Sequence, residues 1–490
     1  MQTDKIKQFF VRYQIFLKIL AVIVAAIPFA ICFIYESVYC DSAYYLAISE
    51  RVSEGFLLYR DVHCGYAPLW FYLAAGVRML FCIPLGCYWP YLLVYDLFYL
   101  AAGIILYKLI KNFTENKSIA FFCAWLFFPL SFWQYGYAVL LEIPSVFFGL
   151  LSSWLIIRLG GKTYWHYLWI GAIASMAFLT KQYGAGFLIL DIYLILFFGN
   201  SSWKSIAIFL VGYLLPILAC ILIWQQDILM LFSNGYGTTT AVSAGRDVSL
   251  LSKLGDIVNN GLRFCGDACP AALVGLLIVW NSKQQNRLRY FMFALCGILG
   301  FALQFYFSSA RHYRIFMIPF ACLLMAEMLV TQTPLWLSWI KYLAILWTVG
   351  ASLYNAYHIV DFRLDDYTPD DRKTISCNIR QYVPESDILW PTQGSYFDVV
   401  FTTRTRVPNL STVAYSFGPL GLDEEKAMEQ LKAARWVVHN PMEIDESAHY
   451  LTDSVLHYIE QFPSILISSR KGVRLYRMEK GATIVPLAPR

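Results

Sequence analysis

The chain has 490 residues, of which 58% are hydrophobic, 17% aromatic and only 14% charged, a composition that excludes a soluble globular protein and makes the bilayer its main solvent. The formal charge of +5 comes from basic residues set between apolar runs, so it signals orientation and excludes a nucleic-acid-binding role. The 12 cysteines include no C-x-x-C pair, and many (Cys32, Cys82, Cys123, Cys220, Cys296, Cys322) sit inside apolar runs, where they read as packed thiols.

The first apolar run, 15–35, follows Lys5, Lys7, Arg12 and Lys18 and lacks a small-residue cleavage site, which predicts an uncleaved first span with a cytoplasmic N-terminus. Further apolar runs at 88–107, 118–134, 138–157, 165–180, 184–199, 205–224, 267–280, 290–307, 313–330 and 335–359 bring the expectation to 11 spans. The stretch 66–84 is apolar too, but it carries Arg78, and counting it as a crossing inverts the charge balance of every later loop. It is therefore expected to lie on or dip into the outer leaflet, within a first external loop at 36–87. With that parity, Lys108, Lys111, Lys117, Arg158, Lys162, Lys204, Lys283, Arg287, Arg289 and Lys341 fall inside, while Glu36, Asp41, Glu50, Glu54, Asp61, Glu142 and Asp227 fall outside. Cys265 and Cys269, close together in a predicted external loop, are the one pair to test for a disulfide.

After Val360 the composition turns charged and no later run could span. The fold class expected is a polytopic α-helical membrane protein, 1–360, with a small α/β extracytoplasmic domain at 361–490. Its alternation predicts strands at 388–390, 436–439, 465–468 and 473–477, and helices around 396–401, 423–434 and 449–462.

Ionisable groups in or beside membrane helices are costly unless paired or wetted, so each is a functional candidate. Asp61 is one such candidate in the first external loop, and Asp41, His63, Glu142, Lys181 and the cluster Arg311, His312 and Arg314 converge on the external boundary. Carboxylates facing several cations there suit a reaction between an anionic lipid headgroup and a polar acceptor: a carboxylate takes the acceptor's proton, and cations meet the charge on a leaving phosphate. Plainer readings stand beside this one. Asp96 and Asp191, near Tyr95, Tyr99 and Tyr193, read as interhelical hydrogen-bond partners. Lys181, Arg311 and Arg314 could snorkel to lipid phosphates, and Asp41 could be a solvated helix cap.

The order of these elements resembles the GT-C class of membrane glycosyltransferases, in particular the bacterial relatives of protein O-mannosyltransferases and of the lipid A aminoarabinose transferase (families 39 and 83). The landmarks are Cys40-Asp41-Ser42-Ala43-Tyr44-Tyr45 after the first span, Asp61-Val62-His63-Cys64-Gly65-Tyr66-Ala67-Pro68, Leu141-Glu142-Ile143-Pro144, Thr180-Lys181-Gln182, and Arg311-His312-Tyr313-Arg314. The resemblance implies an inverting sugar transfer from a polyprenyl-phosphate carrier to an acceptor lipid, glycan or protein, on the external side of a bacterial plasma membrane. It implies Asp41 and Glu142 as the catalytic carboxylates. Lys181, Arg311, His312, Arg314, His63 and Tyr66 would contact donor phosphate or acceptor. No cofactor is required by these residues; a divalent metal, if one is used, falls to Asp41 and Glu142. Two other readings remain: a transporter or flippase using Asp96, Asp191 and Glu327 as an intramembrane relay, and a silent binder of lipid-linked glycans.

Overall fold

The computed structural model describes residues 19, 22, 23, 26, 29, 30, 40–62, 64–160, 163–199, 202–229, 250–264, 270–280, 285–306, 311–365, 369–392, 397–403, 428, 431, 432, 434–440, 453–469, 472–479, 481 and 484. The six described positions of the first predicted span, Ile19 to Ala30, are helical. Four helices among the described residues are long and apolar enough to cross a membrane: Trp89–Thr114, Glu142–Leu159, Trp203–Ile228 and Leu288–Phe305. Shorter apolar helices (Leu69–Phe81, Lys117–Ser131, Gln182–Phe198, Ile318–Val330) pack among them. The 11 predicted spans thus exceed what length and apolarity alone select. The Leu69–Phe81 helix has 13 residues, which at about 1.5 Å each give roughly 20 Å, short of the roughly 30 Å of hydrocarbon.

Close contact between Tyr164–Thr180 and Trp203–Trp224 comes from two glycines facing each other's backbone. A Cβ on Gly171 would lie 2.1 Å from the Phe209 carbonyl, and one on Gly212 would lie 2.0 Å from that of Leu168. Small residues let membrane helices approach when no hydrophobic drive separates lipid from protein.

The predicted span 138–157 starts later than expected. The preceding helix, Lys117–Ser131, is capped by the Asn116 side chain, which accepts from the Ser118 and Ile119 amides at 3.1 Å. Pro129 deletes a hydrogen bond near its end, and the chain then breaks at Gln134 (φ −93°, ψ 29°) and Tyr135 (φ 67°). The Tyr99 hydroxyl, bonded to Ser131 and donating to the Phe128 carbonyl at 3.1 Å, ties the end of this helix to the neighbouring one just before the break. Residues Tyr137 to Leu141 are buried in a non-helical crossing, and the next helix begins at Glu142. The break delivers Glu142 to a helix N-terminus deep in the protein.

At the other end, the helix predicted at 335–359 continues to Asp365. Beyond it stand β1 (Leu389–Pro391), β2 (Trp436–His439), β3 (Ser464–Ser468) and β4 (Val473–Arg477), close to the predicted positions. They form one sheet in the order β1-β2-β4-β3, with β1 parallel to β2 and the other pairs antiparallel. One cluster under this sheet (Trp390, Leu431, Val437, Val455, Ile459) is its own. Leu389, Val438 and Leu475 instead join the apolar core that runs into the membrane helices. The Phe397–Thr402 helix packs on Cys40–Ser53, the helix that carries Asp41. Most of the predicted 423–434 helix, and Cys265 and Cys269, lie outside the described residues.

Candidate active site

Glu142 opens its helix with Pro144 in the first turn, where the amide that proline lacks would have no intrahelical acceptor and an acid meets the positive end of the helix dipole. Its side chain is fully buried. The ammonium that answers it comes from Lys181, 1% exposed, which forms an ion pair with Glu142 Oε1. Lys181 is in place because the Tyr164–Thr180 helix stops there: its backbone turns extended (φ −149°, ψ 135°) before the short 3-10 turn Gln182–Ala185. Gly184 makes this turn possible, since a Cβ there would stand 2.2 Å from the Ala177 carbonyl and 2.6 Å from Ser145 Oγ. Ser145 Oγ itself donates to Ala177 O at 2.8 Å, tying the Glu142 helix to the Lys181 helix one turn from the pair.

Three further groups close around the ion pair. His312 Nε2 lies 3.5 Å from the same Glu142 oxygen. The ring centroids of Tyr313 and Tyr66 lie 4.6 Å and 5.5 Å from Lys181 Nζ, in cation–π range. Tyr66 is held by its neighbours: Gln182 Nε2 donates to Gly65 O at 2.6 Å, and the Tyr59 hydroxyl donates to Tyr66 O at 2.8 Å. Glu142 Oε2 is buried and has no hydrogen-bond partner among the described residues.

Asp41 enters from the Cys40–Ser53 helix, in its first turn and half-buried. One turn on, Tyr45 stacks edge-on to Tyr66 at 5.1 Å. Burial raises the Tyr45 phenol well above its ordinary ionisation range, and Tyr66, Asp41 and Glu142 add to the effect. That phenol therefore stays protonated within electrostatic reach of both carboxylates. The far end of the same helix is clamped to the loop: the Gly86 amide donates to Glu50 Oε1 at 2.9 Å, and Arg78 donates to Ser53 Oγ. Burial pushes Glu50 up to about 8 against the pull of the Gly86 amide and Arg78.

Other candidates go elsewhere. Arg314 donates to Asn260 Oδ1 at 2.9 Å, across to the Leu250–Arg263 helix. Arg311 heads the 3-10 turn Arg311–Phe316, but its side chain, like the whole of His63, lies outside the described residues. Asp61 organises its own loop: Arg60 and the Leu57 amide bond its carboxylate and hold it below the usual range. Asp191 gives one oxygen to Ser152 at 2.5 Å and the other to Ser153 at 2.6 Å, the expected interhelical role. Asp96 faces an apolar cleft of about 460 Å³ between Phe29, Tyr99, Gly103 and Trp125.

No group of three or more His, Cys, Asp or Glu side chains that could hold a metal is found among the described residues. The Lys181 ammonium holds Glu142 Oε1, so that oxygen is not open to a divalent ion.

The sequence reasoning missed Tyr45, Tyr183 and Tyr313. The Tyr183 ring packs tilted against that of Tyr313 at 4.7 Å between centroids, and Tyr313 faces Lys181. A signal was present: a tyrosine follows three of the ionisable landmarks, Asp41, Lys181 and His312, within a few residues.

No protein-family model matches the sequence, and no curated protein matches it. The fold, however, is that of ArnT from Cupriavidus metallidurans. The structure bound to undecaprenyl phosphate aligns with a TM-score of 0.60 at 12% identity, covering 94% of this chain and 98% of that one. The apo-state structure aligns with a TM-score of 0.57, again at 12% identity, covering 94% and 97%. The likeness to the GT-C class read from the landmarks is therefore present in the fold, and the chain is an integral membrane protein.

Proposed function

Proceeding from the ArnT fold, we propose that the protein is an inverting glycosyltransferase that moves a sugar from a polyprenyl-phosphate carrier to a hydroxyl or amine acceptor. The observation that carries the reading is the buried Glu142–Lys181 pair, flanked by His312 and by the Asp41 helix, on a fold seen elsewhere with undecaprenyl phosphate bound. In the reaction the acceptor heteroatom attacks the anomeric carbon as its proton passes to Asp41. The carbon–oxygen bond to phosphate breaks, and polyprenyl phosphate leaves with the bonding electrons. Its added negative charge is met by Lys181, while Glu142 orients the acceptor. An acceptor that is already a good nucleophile needs little from the base, but a general base is commonly worth about 10²–10⁴ in rate.

The 361–490 segment would cover the site from the external face through Phe397–Thr402, which rests on the Asp41 helix. The loop charges favour a cytoplasmic N-terminus in a bacterial plasma membrane. The test is reconstitution in liposomes with a panel of polyprenyl-phosphate sugars, measuring sugar release by wild type and Asp41→Asn. Carrier turnover that drops at least about 100-fold in the folded variant supports the reading. Absence of turnover with every carrier, in folded wild type, counts against it.

A further inference from the structure

The Glu142–Lys181 pair is closed in on itself, and closure of this kind limits what Lys181 can do for a carrier. The ammonium is 1% exposed, its charge is met by Glu142 Oε1, and its remaining faces are covered by Tyr66 and Tyr313. An anionic headgroup that reaches Lys181 must compete with a carboxylate already there, because two anions cannot share one buried cation cheaply. The carboxylate has somewhere to go: Oε2 is buried without a hydrogen-bond partner among the described residues, and His312 Nε2 waits 3.5 Å from Oε1.

Resting on the glycosyltransferase reading above, we infer that Glu142 is a latch on Lys181: a phosphate anion takes the ammonium from Glu142, and the released carboxylate turns to His312 and to the acceptor's donor groups. Glu142 is then a positioning residue whose partner changes when the carrier arrives. The rings of Tyr66 and Tyr313 part to admit the headgroup; Tyr66 stands in the non-helical stretch 64–68 and Tyr313 in the short 3-10 turn Arg311–Phe316, neither in a spanning helix. The orphaned oxygen and the two-ring cover have one explanation in common. Ordering follows from the exchange. The acceptor-orienting carboxylate is free only when the carrier phosphate is seated.

The ligand chemistry is a phosphate ester or free phosphate, and the experiment separates the two. Purified full-length protein in nanodiscs is titrated with undecaprenyl phosphate and, separately, with inorganic phosphate, following ligand-induced thermal stabilisation and equilibrium binding in wild type, Glu142→Gln, Glu142→Asp and Lys181→Gln. Removing a competing internal anion raises apparent affinity by the inverse of the fraction of unlatched protein. The expected result is about tenfold tighter binding of undecaprenyl phosphate by Glu142→Gln, together with slower sugar release, and a smaller gain for Glu142→Asp. Lys181→Gln loses the binding. A parallel gain for inorganic phosphate means that free anion reaches the lysine, and a gain confined to the lipid means that the membrane delivers it; both agree with exchange. A variant that merely damaged the fold would bind more weakly, so gain of affinity is diagnostic. Wild type that binds undecaprenyl phosphate while Glu142→Gln binds it equally or less tightly overturns the latch and leaves the glycosyltransferase reading standing. No binding of either ligand by folded wild type overturns both.

Discussion

The buried pair should announce itself in stability before any substrate is added. Lys181→Met leaves the Glu142 carboxylate, at 0% exposure, without its counter-ion, and breaking a buried pair from one side costs about 3–5 kcal/mol. Glu142→Gln strands Lys181 instead, but the ammonium keeps the faces of Tyr66 and Tyr313, each cation–π contact being worth about 0.5–2 kcal/mol. Glu142→Gln is therefore expected to cost less than Lys181→Met. In the double variant no charge is left stranded, so its cost should fall below the sum of the single costs by about 2 kcal/mol or more. Reversible unfolding in mixed detergent micelles, with wild type and the three variants at fixed ionic strength, gives the coupling directly. Additive costs would refute the pairing, because two groups that do not depend on each other show no interaction energy.

Other predictions use different parts of the structure. Glu50 is raised from 4.5 to about 8 by burial, so the folded protein holds a proton that the unfolded chain releases. Its contribution to stability is full below pH 4.5 and is lost as pH rises toward 8; Glu50→Gln should flatten that part of an unfolding-versus-pH curve, and a variant with the wild-type slope would argue against it. Gly184→Ala would push the Gln182–Ala185 turn off the Ala177 carbonyl, so both sugar release and melting temperature should drop; wild-type values for both would mean the turn relaxes freely. Asp191→Asn keeps an acceptor and a donor for Ser152 and Ser153, and carrier turnover should stay within about threefold of wild type. A complete loss in folded Asp191→Asn would revive the intramembrane relay.

The apolar runs were readable because hydropathy needs no knowledge of partners. Helix Tyr164–Thr180 and strand Trp436–His439 fall within a residue of expectation. The late start at Glu142 was not readable: at the break, Ser131 at the end of its own helix is bonded to Tyr99 from the neighbouring Trp89–Thr114 helix, a partner that the local marks Pro129 and Gly136 do not reveal. Charge parity was enough to put Glu142, Lys181 and His312 on one surface, since each stands at the end of a run on the same predicted side. It was not enough to choose partners. Arg314 looked equivalent to Lys181 in sequence, yet it meets Asn260 on the Leu250–Arg263 helix, which lies between two of the predicted spans. Partner choice among cations was decided by tertiary packing, which a linear pattern of charges does not encode.

A structure of the full chain in nanodiscs with undecaprenyl phosphate asks whether Lys181 meets the carrier phosphate. The expected result is phosphate density within about 3 Å of Lys181 Nζ, as in a charge-assisted hydrogen bond, with Glu142 turned away from the lysine. A bound headgroup lying elsewhere, with the Glu142–Lys181 pair intact, would contradict it.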